Sequence, residues 1–246
     1  MVGSNLKCVM ALVGAWLSVS SVIGHAESDT PRVLELFTSH GCSSCPPAET
    51  LFKQMLKEDA SLIGLEFHVD YWNSLVHGSA GNFVDPFSQP EFSIRQQAYN
   101  HHALLGRPGV YTPQLIIDGQ YAAVGSDERR IRKQLDSKDG SESVDVSVDK
   151  QSGTLTIKVA QAEHTDARVW LVRYLKTADT KITGGENKDL SVTNHHVVTE
   201  VEEVGRLTPA GPTEFSVNYS QDSNESCAVL VQSVKLGPIL GAAHCQ

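Results

Sequence analysis

The stretch FTSHGCSSCPP, residues 37–47, decides the predicted fold because it places two cysteines between a strand and a helix. The apolar residues 33–37 predict a buried strand that runs into a turn at Gly41. After the cysteines, apolar residues recur at helical spacing, which predicts an amphipathic helix packed on a sheet. These residues are Ala48, Leu51, Phe52, Met55 and Leu56. A Cys-x-x-Cys pair at a strand-to-helix turn indicates redox chemistry, because a helix N-terminus favours the thiolate form.

Cys42 and Cys45 have different predicted roles. Cys42, nearer the loop, would attack a partner, and Cys45 would resolve the mixed disulfide. Pro46 has no N–H to donate to the carbonyl of Cys42, so we expect the regular helix to begin near Pro46. That start predicts weaker activation of Cys42 by the helix dipole. A fixed disulfide or a metal clip is the structural alternative for the pair.

The first half of the chain predicts the order β-α-β-α-β-β-α. Residues 62–70 form the second predicted strand, and the aromatic-rich residues 71–90 form an irregular loop that enlarges the domain. A helix is predicted over residues 90–105. Ser126 caps a further helix, which follows the predicted hairpin of residues 112–125.

The second half predicts strands alone. After a polar join at residues 138–143, short alternating segments are separated by turn residues. The segments cover residues 144–148, 155–159, 169–175, 197–204, 215–219 and 227–234. We therefore expect an α/β domain over residues 27–140 and an all-β, sandwich-like domain over residues 141–246.

Composition and charge restrict the class of protein. The chain has 246 residues, 40% of them hydrophobic, and a formal net charge of −9, which argues against nucleic acid as a partner. Residues 1–26 combine one lysine, an apolar run and small residues near Ala26, which predicts a secretory signal peptide and an exported protein. No later segment predicts a membrane span. The sequence indicates no cofactor, and it leaves the oligomeric state open.

Removal of the signal peptide leaves four cysteines, an even number that favours disulfides in an exported protein. Cys227 and Cys245 predict a structural bridge that holds the C-terminal tail against the last predicted strand. A redox relay between this bridge and the Cys-x-x-Cys pair is the alternative.

Several motifs carry a resemblance to known families. The element order, the Cys-x-x-Cys pair and Thr112-Pro113 before the third strand resemble the thioredoxin fold. A narrower resemblance, to the secreted thioredoxin-like family filed as domain of unknown function 1223, covers nearly all of the mature chain. It rests on ELFTS (35–39), GCSSCPPA (41–48), HVDYWN (68–73), DPF (85–87), VYTPQ (110–114), GGEN (184–187) and HHVV (195–198).

The resemblance implies a thiol–disulfide oxidoreductase that acts on thiols and disulfides of secreted or periplasmic proteins. Pro113 would be cis and would face the cysteines, and Thr112 would offer backbone groups to an extended substrate. The buried acid of thioredoxins aligns with Leu36 here. Glu35 is adjacent but on the opposite side of the strand, and proton transfer by Glu35 is a hypothesis.

The loop after the second strand supplies further candidates. The loop contains Asp70, Tyr71, Trp72, Asp85 and Phe87. It could wall a substrate groove beside Cys42, because the carboxyl ends of strands carry the site in open α/β sheets. The alternative is that these aromatic side chains bury the enlarged insertion.

Two other functions remain open at this point. The chain could be a binding protein on a thioredoxin scaffold with a structural disulfide, or a metal carrier that uses both thiolates. His40, His68 and His77 are nearby in sequence, but no ligand motif supports them, so the sequence predicts no metal site.

Overall fold

The structure is a computed structural model that describes residues 1, 30–75, 83–102, 104–137, 143–160, 166–211, 213–220, 222–234 and 236–245. The predicted signal peptide, residues 1–26, lies outside the described residues apart from Met1, so it stays a prediction. The predicted join between the halves falls largely outside them as well, and the predicted domain limits stay predictions. No helix in the described part of the chain combines the length and apolar character that crossing a bilayer requires.

The first half alternates strands and helices in the predicted order, with a short helix and a short strand added. Its elements are β1 Val33–Thr38, α1 Pro46–Glu58, β2 Ile63–His68, α2 Trp72–Leu75, α3 Pro90–His101, β3 Leu105–Gly106, β4 Gln114–Ile117, β5 Tyr121–Val124 and α4 Glu128–Leu135. The second half contributes β6 Val146–Gln151, β7 Thr154–Val159, β8 Ala167–Lys181, β9 Ser191–Leu207, β10 Glu214–Asn218, β11 Glu225–Ser233 and β12 Ile239–His244. The chain is thus a mixed α/β structure with a large sheet and few helices.

β1 is buried along its whole length because it lies between parallel β2 and antiparallel β4. Its side chains alternate between the two faces of the sheet. Leu34 and Leu36 pack with α1 and α4, whereas Val33 and Phe37 pack with α3. Burial of each such side chain contributes roughly 1.5–3 kcal/mol. The cysteine loop therefore follows a strand whose two faces are both packed against helices.

Two predicted helix limits are wrong. α3 ends before residue 105, because His102 has an extended backbone and Leu105–Gly106 pairs with β5. α4 is capped by Asp127 and not by Ser126, since the turn that leaves β5 continues one residue further. The Asp127 carboxylate accepts a backbone N–H of the first helical turn.

One nine-stranded sheet carries strands of both halves, in the order β12-β11-β8-β9-β2-β1-β4-β5-β3. The junction is the parallel pairing of β2 with β9, where Glu66 lies opposite Val197. The sequence did not predict this junction, because a pairing between distant strands leaves no local pattern. β8 and β9 also extend beyond the apolar segments 169–175 and 197–204, through alternating polar residues that still pair with each other.

The remaining strands form a three-stranded sheet in the order β10-β7-β6. Leu155 and Ile157 of β7 belong to one core cluster with Leu171 of β8 and Val229 of β11, so the small sheet packs on part of the large one. The second half is therefore a two-layer, all-β arrangement. Its larger layer is the sheet that it shares with the first half.

A disulfide joins Cys227 in β11 to Cys245, the pairing that the sequence predicted. The N–H of Cys245 also donates to the carbonyl of Cys227, at 2.9 Å. The strand that precedes Cys245, β12, was not predicted. Its sequence ILGAAH contains small residues and lacks the alternation that marks a strand.

Candidate functional site

The two cysteines of the stretch 37–47 are joined by a disulfide, with their Cα atoms 5.4 Å apart. Between β1 and α1 the chain makes two successive turns. In these turns the N–H of Cys42 donates to Ser39 and the N–H of Cys45 donates to Cys42, both at 3.1 Å. α1 begins at Pro46 with Cys45 as its N-cap residue, which confirms the predicted start. Cys42 lies three residues before that cap, outside the helix.

Both cysteines are fully buried, with 0% of their surface exposed. The loop between β8 and β9, residues 182–190, lies over them, and we call it the cap loop. The side-chain amide of Asn187 donates to the carbonyls of His40 and Cys42, both at 2.9 Å. The carboxylate of Glu186 accepts the N–H of the residue after Cys42, at 3.3 Å. A loop from the second half thus closes the cysteine turn of the first half.

The Thr112–Pro113 peptide bond is cis, as the resemblance implied. The pairing of β4 with β1 places this peptide beside the end of β1. A Cβ added to Gly125 would lie 3.2 Å from Cβ of Pro113 and 2.9 Å from Cβ of Ala48 in α1. The cis proline and the first turn of α1 therefore lie against the same glycine, close to the cysteine pair.

The aromatic candidates Tyr71 and Trp72 are half-buried and pack against the core. The indole N–H of Trp72 donates to Oγ1 of Thr112 at 2.7 Å, and the hydroxyl of Tyr71 donates to Gln96 at 3.3 Å. The structure therefore brings Trp72 to the residue that precedes the cis proline. Trp72 therefore both helps to bury the insertion and lies next to the candidate groove.

Glu35 lies on the α3 face of the sheet, opposite to α1. One carboxylate oxygen accepts Nε–H of Arg95 at 2.7 Å, and the other accepts the hydroxyl of Tyr99. Arg95 also donates to Gln232 of β11, so the network ties α3 to both halves of the sheet. These contacts place Glu35 in a buried structural network, and its proton-transfer role stays a hypothesis.

A buried polar cluster lies next to the cysteine loop. We define it as His40, Glu66, His68, Asp85 and Asn194, each at most 2% exposed. His40 lies two residues before Cys42, and Glu66 and His68 lie in β2. Asp85 lies in the loop before α3, and Asn194 lies in β9. Four separate segments of the chain thus meet at the carboxyl ends of β1 and β2.

Asp85 is the centre of this cluster. Its Oδ2 accepts the backbone N–H of His40 at 2.7 Å and lies 2.8 Å from Nδ1 of His68, while its Oδ1 accepts the N–H of Phe87 at 3.0 Å. Nε2 of His68 lies 3.1 Å from Glu66. Asp85, which the sequence suggested as a wall of the substrate groove, therefore fixes the backbone of the cysteine loop.

Within the cluster, the imidazole of His68 lies between the carboxyl groups of Asp85 and Glu66, and His68 and Asp85 shift each other's pKa values. Burial alone would lower the pKa of His68, but the neighbouring carboxylates of Asp85 and Glu66 raise it to about 10. Burial would raise the pKa of Asp85, but the charge and hydrogen bond of His68 hold it well below its usual range. The pKa of His40 is lowered by burial and by the charge on His68.

Glu49 is a further acid near the cluster, half-buried in the first turn of α1. Its N–H donates to the carbonyl of Cys45 at 3.1 Å, and its carboxyl accepts the hydroxyl of Thr38 at 2.7 Å. Burial and the charge of Glu66 raise the pKa of Glu49 to about 7. Thr38 shares the α1 face of β1 with Leu36, so this acid lies on the side of the sheet that Glu35 does not reach.

The sequence did not predict Glu49, Glu66, Asn187 and Asn194 as site residues. One signal was present: Glu49 follows Cys45 by one helical turn, and such residues share a helix face. The contacts of Asn187 and Asn194 depend on the long β8–β9 hairpin, which the sequence did not predict. His77 lies outside the described residues.

Comparisons with known proteins agree with this architecture. No curated protein matches the chain. A structural-genomics crystal structure of an Agrobacterium tumefaciens protein is 31% identical, covers 87% of this chain and 93% of that one, and superposes with a TM-score of 0.72. HBP35 of Porphyromonas gingivalis is similar in fold alone, with 17% identity, coverage of 87% and 74%, and a TM-score of 0.54. A family model described as a protein of unknown function, DUF1223, matches residues 33–232. The chain therefore belongs to the DUF1223 family.

Proposed function

We propose that the chain is an exported, thioredoxin-like thiol–disulfide oxidoreductase that acts on the cysteines of secreted or periplasmic proteins. The observation that carries the proposal is the Cys42–Cys45 disulfide in a strand-to-helix turn, beside a cis Thr112–Pro113 peptide. A disulfide between residues three apart closes a very short loop, and its opening requires little rearrangement of the rest of the chain. The half-buried Trp72 would wall the groove next to Thr112.

The oxidised pair would accept two electrons from a substrate dithiol. A substrate thiolate attacks Sγ of Cys42, and the S–S bond breaks, so Cys45 leaves as a thiolate and takes up a proton. The second substrate thiolate then attacks the substrate sulfur of the mixed disulfide. Cys42 is released as a thiolate, and the substrate retains a disulfide. The reverse sequence reduces a substrate disulfide.

This chemistry requires that a substrate sulfur can reach Sγ of Cys42. Because Cys42 is fully buried, the cap loop has to move before a substrate sulfur can reach it. The two hydrogen bonds of Asn187 and the contact of Glu186 are the interactions that such movement breaks.

The same burial favours a second candidate function, a binding protein whose disulfide is structural. In that case the cap loop would be a permanent part of the scaffold, and the pair would resist reduction while the protein is folded. The two functions therefore differ in one measurable property, the reactivity of the pair in the native state.

Redox equilibration against glutathione tests the proposal. In the mature protein we expect Cys42–Cys45 to be reduced with circular dichroism unchanged, while Cys227–Cys245 stays oxidised. A pair that is reduced only when the protein unfolds would refute the oxidoreductase proposal and support the binding protein.

A matched pair of variants sharpens this test. Cys45→Ser leaves Cys42 free, and we expect its thiolate to attack a disulfide-containing peptide, release one peptide sulfur as a thiolate and retain the other in a mixed disulfide. Cys245→Ser leaves the equally buried Cys227 free, and we expect no such adduct. Equal adduct formation by both variants, measured by mass spectrometry, would show that the Cys42 position has no special reactivity.

A further inference from the structure

The buried polar cluster contains one nitrogen atom that hydrogen bonding does not satisfy. Nδ1 of His40 is buried and has no hydrogen-bond partner, and it lies 3.5 Å from Oδ1 of Asp85. Buried polar atoms are nearly always hydrogen-bonded, so an unpartnered one that faces a carboxylate needs a physical explanation.

The neighbours of His40 determine which of its ring nitrogens carries the proton. The amide nitrogen of Asn194 donates to Glu66 at 2.6 Å, so the amide oxygen of Asn194 is the atom that faces Nε2 of His40, at 2.9 Å. The opposite amide orientation would place two oxygens 2.6 Å apart. Nε2 of His40 therefore donates its proton to Asn194, and this tautomer leaves a lone pair on Nδ1.

Two electron-pair donors thus face each other across 3.5 Å, the Nδ1 lone pair of His40 and the carboxylate of Asp85. Without a cation between them this arrangement is repulsive. Two ligands of a tetrahedral Zn²⁺, each about 2.0–2.2 Å from the ion, lie roughly 3.3–3.5 Å apart. The observed separation already fits a shared metal ion.

His68 becomes a third donor when its Nδ1 loses the proton that it shares with Asp85, because metal ions displace protons from their ligands. Its Nδ1 lies 2.8 Å from Asp85, and one ligand atom from each of His40, His68 and Asp85 lies within 4.8 Å of the others. Its other nitrogen, Nε2, lies 3.1 Å from Glu66. A carboxylate behind a ligating histidine is the usual outer-shell arrangement at metal sites, because it orients the ring and increases its basicity. Asn194 orients His40 in the same way.

The buried charge also favours a cation. Asp85 and Glu66 are both buried, and in the part of the chain that the structure describes they form ion pairs with histidines alone. Buried charges are normally paired or bound to metals. A divalent ion that replaces the proton on Nδ1 of His68 would balance the charge of the two carboxylates.

We propose that His40, His68 and Asp85 form a buried binding site for a divalent transition metal of the Zn²⁺ class. Two imidazoles and one carboxylate are ligands that Zn²⁺ accepts, and the absence of sulfur from the set separates this site from a carrier that uses the Cys42 and Cys45 thiolates. The proposal goes beyond the proposed function and does not depend on it.

The test uses the mature protein with Cys42–Cys45 kept oxidised, so that thiolates cannot bind the metal. After treatment with a chelator, Zn²⁺ is added in competition with a chromophoric chelator. We expect one Zn²⁺ per chain in the wild type and in the control His244→Gln, which changes a half-buried histidine outside the cluster. His40→Gln and Asp85→Asn each remove a ligand, and we expect affinity losses beyond the roughly 10- to 100-fold that outer-shell changes cause.

Binding of no Zn²⁺ by the wild type would overturn the proposal. Full affinity in both ligand variants would overturn it as well, because the ion would then be bound elsewhere. Should the variants fail to fold, X-ray absorption spectroscopy of the Zn²⁺-loaded wild type decides the question. Coordination by nitrogen and oxygen with two imidazoles supports the site, and coordination by sulfur or by oxygen alone contradicts it.

Discussion

The half-buried acid at the start of α1 makes the stability of the protein depend on pH in a defined direction. Glu49 has a pKa of about 7 in the folded chain against an ordinary value of 4.5. Below pH 4.5 the carboxyl is protonated in both the folded and the unfolded chain, and it has no effect on stability. Between pH 4.5 and 7 the unfolded chain loses the proton first, so the free energy of unfolding falls as pH rises. Above pH 7 the full penalty is present.

The variant Glu49→Gln removes this penalty and keeps the shape of the side chain. Gln retains an oxygen that can accept the hydroxyl of Thr38, as the carboxyl of Glu49 does at 2.7 Å. The difference between the two pKa values, at about 1.4 kcal/mol per unit, corresponds to about 3 kcal/mol. We expect the variant to match the wild type near pH 4 and to be more stable by about 3 kcal/mol at pH 8.

Urea denaturation at pH 4 to 8 measures this difference, with both disulfides intact and a chelator present. Glu58→Gln is the control on the same helix, since hydrogen bonds to Gln54 and Arg132 lower the pKa of Glu58 and its replacement should not stabilise the protein at pH 8. A difference in stability between Glu49→Gln and wild type that stays constant over this pH range would refute the raised pKa of Glu49.

Three further substitutions test the packing and the cap. Asn187→Ala removes two hydrogen bonds that each contribute roughly 0.5–1.5 kcal/mol, so the cysteine pair should be reduced by dithiothreitol about tenfold faster; an unchanged rate would contradict the cap. Gly64→Ala places a Cβ 2.5 Å from Cδ2 of Leu56 in α1, and we expect a loss of about 1–3 kcal/mol in urea denaturation that Leu56→Ala partly restores. Arg95→Leu leaves the buried carboxylate of Glu35 unpaired and should cost about 3–5 kcal/mol, with recovery in the double variant that adds Glu35→Gln; the absence of recovery would argue against the ion pair.

Local patterns predicted the first half of the fold well. The apolar run of β1, the helical stripe of α1 and the two prolines act over a few residues, and the observed helix begins at Pro46 as the chemistry of proline requires. The N-cap of α4 is Asp127, one residue after the predicted Ser126. Both side chains can accept a backbone N–H of the first helical turn, and the sequence does not determine where the preceding turn ends.

The site was predicted only in part because its remaining residues act over long separations. Asn187 contacts His40 across 147 positions of the chain, and Asn194 contacts the same residue across 154. Neither asparagine belongs to a motif whose spacing carries chemistry. Their positions follow from β9, which pairs with β2, and strand pairing between distant segments is set by tertiary packing and not by local periodicity.

The position of the cap loop bears on how reactivity could be controlled in this protein. Cys42 lies outside α1, so the helix dipole gives it little help, and two prolines remove the N–H groups that would otherwise point toward it. The second half compensates for neither effect, because Asn187 binds carbonyls of the cysteine loop and not its sulfur atoms. What the cap loop changes is access. The hairpin that positions this loop shares the sheet with β2, so any partner that displaces the cap acts on strands continuous with the core beneath the cysteines. Separation of the two halves would therefore expose β2 along one edge as well as uncover the disulfide.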